Sequence, residues 1–202
     1  MNVSALVLAA GKSSRIPGRQ KLLLPLGNKP VLAHAVDNLL QSCVSEVIVV
    51  VGHGAEEIRA ALGARPVRFV FNSDYAQGLS TSIKAGLAAL SNGTQGVLFA
   101  LGDMPLVEAR DLDVLIADFA RVPHATIAVP VFHGRRGNPV LFDIRLRTEM
   151  FELFGDVGCK ALLLRHVHEV LEVEMPNDHV LRDVDTLAAY NELCASMEVK
   201  RG

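Results

Sequence analysis

A chain of 202 residues, half of them hydrophobic, has enough apolar mass for one sizeable core and points to a single domain over 1–202. Its 20 lysines and arginines against 22 aspartates and glutamates leave a formal charge of −2, so no global basic field exists to hold a nucleic-acid backbone. The three cysteines, Cys43, Cys159 and Cys194, are odd in number and far apart, which argues against a secreted disulfide framework and for a reducing cytoplasm.

The first apolar run, Val3–Ala10, reads as a buried strand. No positive charge precedes it and it is barely long enough for the apolar part of a signal peptide. Pro30–Leu40 reads as a helix with proline near its first turn, Glu46–Val51 as a second strand, and Ala55–Leu62 as a helix. Val67–Phe71 is a third strand, Leu79–Leu90 a helix that Ser80 can cap, Val97–Leu101 a fourth strand, and Leu112–Phe119 part of another helix. Beyond these, Thr126–Pro130 and Pro139–Phe142 look like strands flanking the glycine-rich, charged stretch 133–138. Arg145–Phe154 and Lys160–Arg165 look helical, Glu169–Glu174 is a strand by alternation, and a closing helix follows Asp185-Thr186. No stretch approaches the ~18 apolar residues of a membrane span, so neither membrane nor nucleic acid is expected as a partner.

Alternating strands and helices with near-continuous Val/Ile/Leu strands predict an α/β fold whose mainly parallel sheet is covered on both faces. Ligands of such sheets sit outside the carboxyl ends of the strands. That rule selects Gly11–Lys21 after the first strand and Gly102-Asp103-Met104-Pro105 after the fourth.

Gly11-Lys12-Ser13 looks like the end of a phosphate-binding P-loop, but Leu6 stands where the leading glycine must be, inside a strand, so the wrapping loop has no room to form. Gly11 still permits a tight turn, and Lys12, Arg15, Arg19 and Lys21 gather positive charge where a triphosphate could dock. Asp103 suits a Mg²⁺ that keeps its waters and bridges phosphates, or else a turn. Asp183 and Asp185 alternate on one side of an extended segment; one could be a second metal ligand and one an N-cap. Gly78-Leu79-Ser80-Thr81-Ser82 offers hydroxyls and N–H groups for a ribose or base edge. Gly52-His53-Gly54 begins a dinucleotide fingerprint but has Glu57 where the third glycine belongs. His166, His168 and Cys159 lack the clustering of a zinc site, and no Gly-x-Ser-x-Gly nucleophile elbow is present.

In combination, six blocks resemble the MobA-like nucleotidyltransferases, relatives of the enzymes that finish the molybdenum cofactor. They are LVLAAGKSSRIPGRQKLLLPLGNKPVL, YAQGLSTSIKAGL, LGDMPLV, RRGNPVLF, GDVGCKALL and DVDT, in order over nearly the whole chain. The resemblance implies a Rossmann-like three-layer nucleotidyltransferase fold with a mainly parallel, mixed sheet. About residues 1–105 would bind nucleotide and about 106–202 the acceptor. Leu-Ala-Ala-Gly and Gly-Leu-Ser-x-Ser are similar to the cytidylyl branch, which implies CTP. Gln20, where many relatives carry Asp or Asn, and Leu187, in place of a proline, depart from the pattern.

By resemblance, Leu8, Ala9, Ala10, Gly11, Arg15, Lys21, Gly78, Ser80 and Ser82 bind the nucleotide, and Arg15, Lys21 and Asp103 act in catalysis. Asp103 and Asp185 hold Mg²⁺, and Arg136, Gly137, Asn138, Pro139, Asp156 and Lys160 shape the acceptor site. The implied substrates are CTP and molybdopterin, with transient contact to a molybdoenzyme or its chaperone. A sugar or polyol phosphate as acceptor, or a non-catalytic cofactor-carrying role, are the competing expectations.

Overall fold

The β-branched runs near the N-terminus pair with each other because both of their faces can be buried. β1 (Val3–Ala9) lies parallel to β4 (Glu46–Val51) on one side and to β6 (Gly96–Leu101) on the other. The computed structural model describes residues 1–11, 20–156 and 158–199. Between β1 and β4 come the short hairpin β2 (Pro25–Leu26) and β3 (Lys29–Pro30) and helix α1 (Val31–Gln41). α2 (Ala55–Leu62), β5 (Arg68–Phe71) and α3 (Leu79–Ala88) lead to β6, and α4 (Ala109–Ala120) follows it. The rest is β7 (Ile127–Phe132), β8 (Arg135–Arg136), β9 (Val140–Asp143), α5 (Arg147–Phe151), α6 (Lys160–Arg165), β10 (Val170–Glu174) and α7 (Leu187–Val199).

The sheet order is β10-β7-β9-β6-β1-β4-β5, with β8 paired to β7. β9 runs against both β6 and β7, and β8 against β7; the other pairs are parallel. This is the expected mixed, mainly parallel sheet. Strand alternation divides each strand between two layers of core. Val3, Ala5, Val7 and Ala9 of β1, with Val47, Val49 and Val51 of β4, pack against α1, α2 and α4. Leu6, Ile48 and Val50 point the other way, onto Ile83 and Leu87 of α3, Met150 of α5 and Leu162 of α6. A third cluster, Leu24, Leu26, Val31, Val184 and Leu193, fastens α7 to the β2–β3 hairpin. Each fully buried leucine or isoleucine in these layers contributes about 2 kcal/mol of transfer free energy.

Local chemistry moves several expected boundaries. The Arg145–Phe154 helix is split, because the Asp143 carboxylate accepts the Arg145 N–H and tightens Ile144–Leu146 into a 3-10 turn before α5, which ends at Phe151. Ser80 does not cap α3; Gly78 occupies the N-cap, and Ser80 is buried inside the first turn. Among the described residues no helix is long and apolar enough to cross a membrane.

The link from β8 to β9 packs directly on the Asp178–Leu181 turn. Gly137 donates to Pro130 O at 2.8 Å and Asn138 to Val180 O at 2.9 Å. A Cβ on Gly137 would lie 2.2 Å from the Val180 carbonyl oxygen, a backbone atom that cannot rotate aside. Gly137→Ala is therefore expected to destabilise the protein by about 3 kcal/mol through overpacking, read as a lowered urea midpoint at unchanged slope.

Candidate active site

The carboxyl ends of β1 and β6 open on a cleft of about 500 Å³. Leu8, Ala10 and Gly11 from the end of β1 line it, with Lys21 and Leu22 from the turn before the hairpin. Tyr75, Ala76, Gly78, Leu79 and Ser82 form the wall at the start of α3. Leu101, Gly102 and Asp103 come from the end of β6, and Asp156 and Asp185 complete the rim.

Asp103 is 7 % exposed and is fixed from both sides. Gly102 before it lies so near α1 that a Cβ there would meet Leu32 Cδ1 at 2.7 Å. The Asp103 backbone oxygen accepts the Val184 N–H at 2.9 Å, which brings the Asp-Val-Asp segment alongside. Thr186, not an aspartate, caps α7: its Oγ1 accepts the Ala189 N–H at 3.1 Å. The Asp185 carboxylate is thereby left to face the cleft.

The Lys21 ammonium sits between these carboxylates, donating to Asp103 Oδ2 and, at 2.6 Å, to Asp185 Oδ1. Burial pulls the Lys21 pKa down, but the charges and hydrogen bonds of Asp103 and Asp185 outweigh it and hold the group above its ordinary value. Asp183 is raised, first by burial, then by the negative charges of Asp185 and Asp103. It lines a neighbouring cavity instead of the main cleft.

Among the described residues no three His, Cys, Asp or Glu side chains cluster as metal ligands. Two carboxylates already converging on a cation are nonetheless an oxygen donor set suited to Mg²⁺, which takes one or two protein carboxylates and completes its octahedron with waters and phosphates.

The α3 wall rests on a close backbone approach. Gly78 has φ +115°, and a Cβ there would meet the Gly155 carbonyl carbon at 2.7 Å. Gly155 O accepts the Ser80 N–H at 3.0 Å and Asp156 Oδ1 the Leu79 N–H at 2.9 Å, so the 155–156 segment supplies the acceptors that the first turn of α3 needs. Asn72, 4 % exposed, donates to Thr81 Oγ1 at 2.9 Å and Ser82 Oγ at 3.0 Å and so orients the Ser82 hydroxyl at the cleft wall.

Of the residues expected to bind nucleotide, catalyse or hold metal, the structure gathers Leu8, Ala10, Gly11, Lys21, Gly78, Ser82, Asp103 and Asp185 in one cleft. Arg15 lies outside the described residues, as do Lys12 and Arg19. Two positions differ from expectation for reasons of periodicity. Ala9 alternates onto the opposite face and is fully buried in the α1/α2/α4 layer, and Ser80 is buried in α3 with only its neighbour Ser82 turned to the cleft.

The expected acceptor residues scatter. Asp156 joins the main cleft. Arg136 is held on the sheet by Glu172 of β10 at 2.7 Å, Gly137 and Asn138 serve backbone packing, Pro139 lines a small apolar hollow beneath β6, and Lys160 is exposed at the start of α6. Sequence reasoning passed over Tyr75, Ala76 and Asn72, although Tyr75-Ala76 opens the quoted YAQGLSTSIKAGL block. Tyr75 is recognisable only in three dimensions, where its ring covers Gly52 so closely that a Cβ there would lie 2.7 Å from it.

The chain is similar to known proteins over nearly its whole length. Molybdenum cofactor cytidylyltransferase of Escherichia coli is 29% identical over 185 residues, covering 91% of both chains. Nicotine blue oxidoreductase of Paenarthrobacter nicotinovorans is 27% identical over 190 residues, covering 92% of this chain and 93% of the other. The crystal structure of the Rv0371c homologue from Mycobacterium sp. strain JC1 superposes with a TM-score of 0.86 at 30% identity, covering 99% of this chain and 98% of that one. The Mycobacterium tuberculosis Rv0371c structure in complex with manganese gives a TM-score of 0.80 at 28% identity, covering 97% and 100%. Residues 5–170 match the MobA-like NTP transferase domain, and the chain belongs to that family of nucleotidyltransferases.

Proposed function

We propose that the protein transfers CMP from CTP to the terminal phosphate of molybdopterin and releases pyrophosphate. The observation that carries this reading is the convergence of Asp103 and Asp185 on Lys21 at the mouth of a cleft floored by the end of β1. The similarity to the E. coli cytidylyltransferase over nine-tenths of both chains supports the choice of nucleotide and acceptor.

One acceptor phosphate oxygen attacks the α-phosphorus of CTP, and the bond from that phosphorus to the bridging oxygen of pyrophosphate breaks in line. The phosphate monoester is already anionic at neutral pH, its second pKa being about 6, so no general base is required. The work of the chain is positioning and charge stabilisation. Gly11 lets the backbone approach the phosphates, and Lys21, with Arg15 six positions before it in sequence, offsets the charge growing on the departing pyrophosphate. Asp103 and Asp185 would hold Mg²⁺, which when bound draws together and screens the phosphate oxygens; the manganese complex of a related structure supports a divalent ion in this fold. Ser82, oriented by Asn72, and the Tyr75-Ala76 wall would contact ribose and base.

The oxidoreductase named among the relatives invites a dinucleotide reading, but the Gly52–Gly54 turn leads into α2 with Glu56 and Glu57 in its first turn. Two carboxylates there oppose a pyrophosphate. The testing experiment measures pyrophosphate release with Mg²⁺ and molybdopterin, comparing CTP with GTP and omitting acceptor. Acceptor-dependent release with CTP alone is expected. Equal release with GTP would overturn the base preference, and release only with sugar or polyol phosphates would overturn the acceptor.

A further inference from the structure

A second cavity, about 370 Å³, lies beyond the end of β7. β7 runs parallel to β6 and β1, since both β6 and β7 are antiparallel to β9, so this cavity opens at the same edge of the sheet as the nucleotide cleft. Phe132, His133, Arg135, Asp178, Leu181 and Arg182 line it.

Its two cations are uncommitted. Arg135 and Arg182 make no side-chain hydrogen bond or ion pair among the described residues, in contrast to Arg136, which is held by Glu172. Asp178 is the carboxylate in the cavity, and it too forms no ion pair there, which leaves a net positive wall.

Beside the arginines is an aromatic surface set on an unusual turn. Phe132 pairs with Arg135 across a two-residue hairpin turn, His133-Gly134, with φ of 49° and 74°. Such turns favour Asn, Asp or Gly at the first position. His133 instead places its ring 4.1 Å, centroid to centroid, from Phe132 at an interplanar angle of 35°.

The segment that lines this cavity also contacts the reacting centre. Leu181 and Arg182 line a further hollow together with Asp183 and Val184, and the Val184 N–H binds the Asp103 carbonyl. In the sheet β9 lies between β7 and β6, so the carboxyl ends of those two strands, one beside this cavity and one before Asp103, are roughly 10 Å apart.

We propose that this cavity is a distal subsite of the acceptor, taking a heteroaromatic ring whose edge presents hydrogen-bond acceptors, about 10 Å along the sheet from the end of β6. The two guanidinium groups would bind that edge and the Phe132–His133 pair the face of the ring. The inference rests on the reading that the Asp103–Asp185 cleft transfers a nucleotide to a phosphorylated acceptor. It assigns acceptor recognition to Arg135 and Arg182, in place of the Arg136 and Lys160 that the sequence suggested.

The test needs no turnover. Backbone amides of the ¹⁵N-labelled full chain are titrated with pterin-6-carboxylate and, separately, with inorganic phosphate. Pterin-6-carboxylate is expected to move the amides of Phe132, His133, Arg135 and Arg182, with affinity falling about fivefold to tenfold in Arg135→Ala and in Arg182→Gln. His133→Asn installs a residue the turn favours, so it should keep the thermal midpoint while weakening pterin-6-carboxylate severalfold. Shifts confined to Gly11, Ala76 and Ser82, or no shifts, would overturn the proposal. So would unchanged affinity in both arginine variants, or equal binding of inorganic phosphate at the same amides. Failure of CTP turnover with molybdopterin would leave these shifts intact, so the two readings fail separately.

Discussion

Asp103→Asn is expected to slow nucleotidyl transfer by about 10³-fold, near 4 kcal/mol of transition-state stabilisation, while the fold is kept and the thermal midpoint falls only by the loss of the Lys21 ion pair. The fold should survive because the contact that holds this turn to the Asp183–Asp185 segment uses the Asp103 backbone oxygen, which the substitution keeps. An asparagine can still accept a hydrogen bond from Lys21, but it cannot supply the negative charge that a dication bound to phosphates requires. Asp185→Asn should follow the same pattern. Asp183→Asn separates this reading from a general effect of acidic residues, because Asp183 lines the adjacent cavity and not the cleft. Its loss should stay within about tenfold, and steady-state rates at saturating Mg²⁺ decide the matter. Near-normal turnover of Asp103→Asn, or equal losses for Asp183→Asn and Asp185→Asn, would remove the assignment of Asp103 and Asp185 as the metal pair.

The strands were legible because burial on both faces leaves continuous Val/Ile/Leu runs: Glu46–Val51 is a strand from end to end, and the rule that ligands lie at strand carboxyl ends located Gly11 and Asp103. The helix ends were less legible, since their acceptors come from distant chain. α3 starts at Leu79 as the sequence indicates, but its cap was not legible: Gly155 and Asp156, some 77 residues on, accept its first N–H groups, and no local pattern around Ser80 encodes that. The Ala9 side chain lies away from the cleft for a simpler reason. A motif read as a block ignores the alternation that sends Leu8 and Ala10 to one face and Ala9 to the other. Lys21 was found, but its setting was not: a lysine chosen for phosphates proves to be bound between two carboxylates contributed by residues 82 and 164 positions away. The sequence pattern marks which groups matter, whereas pairing between them depends on how β6 and the segment before α7 meet.

That pairing sets what Lys21→Met should do. The methionine preserves bulk beside buried Leu22 while removing the cation, so transfer is expected to fall by at least about 10² through lost stabilisation of the departing pyrophosphate. Metal affinity should move the other way. In the wild-type protein the ammonium competes with a dication for Asp103 and Asp185; without it, the same carboxylates face each other uncompensated, with Asp183 nearby. Half-maximal stabilisation by MgCl₂ should therefore need less Mg²⁺ in the variant. The alkaline limb gives an independent check. Lys21 titrates above its ordinary 10.5 in the folded protein, so its contribution to stability is fully present below pH 10.5 and is lost as pH rises through the raised folded value. Lys21→Met lacks this term, and the difference in thermal midpoint between wild type and variant should shrink across that window and be flat below it. A difference that does not change with alkaline pH would mean the carboxylates do not hold the lysine in solution. A variant that binds Mg²⁺ no more tightly than wild type would mean that ammonium and metal do not share those oxygens.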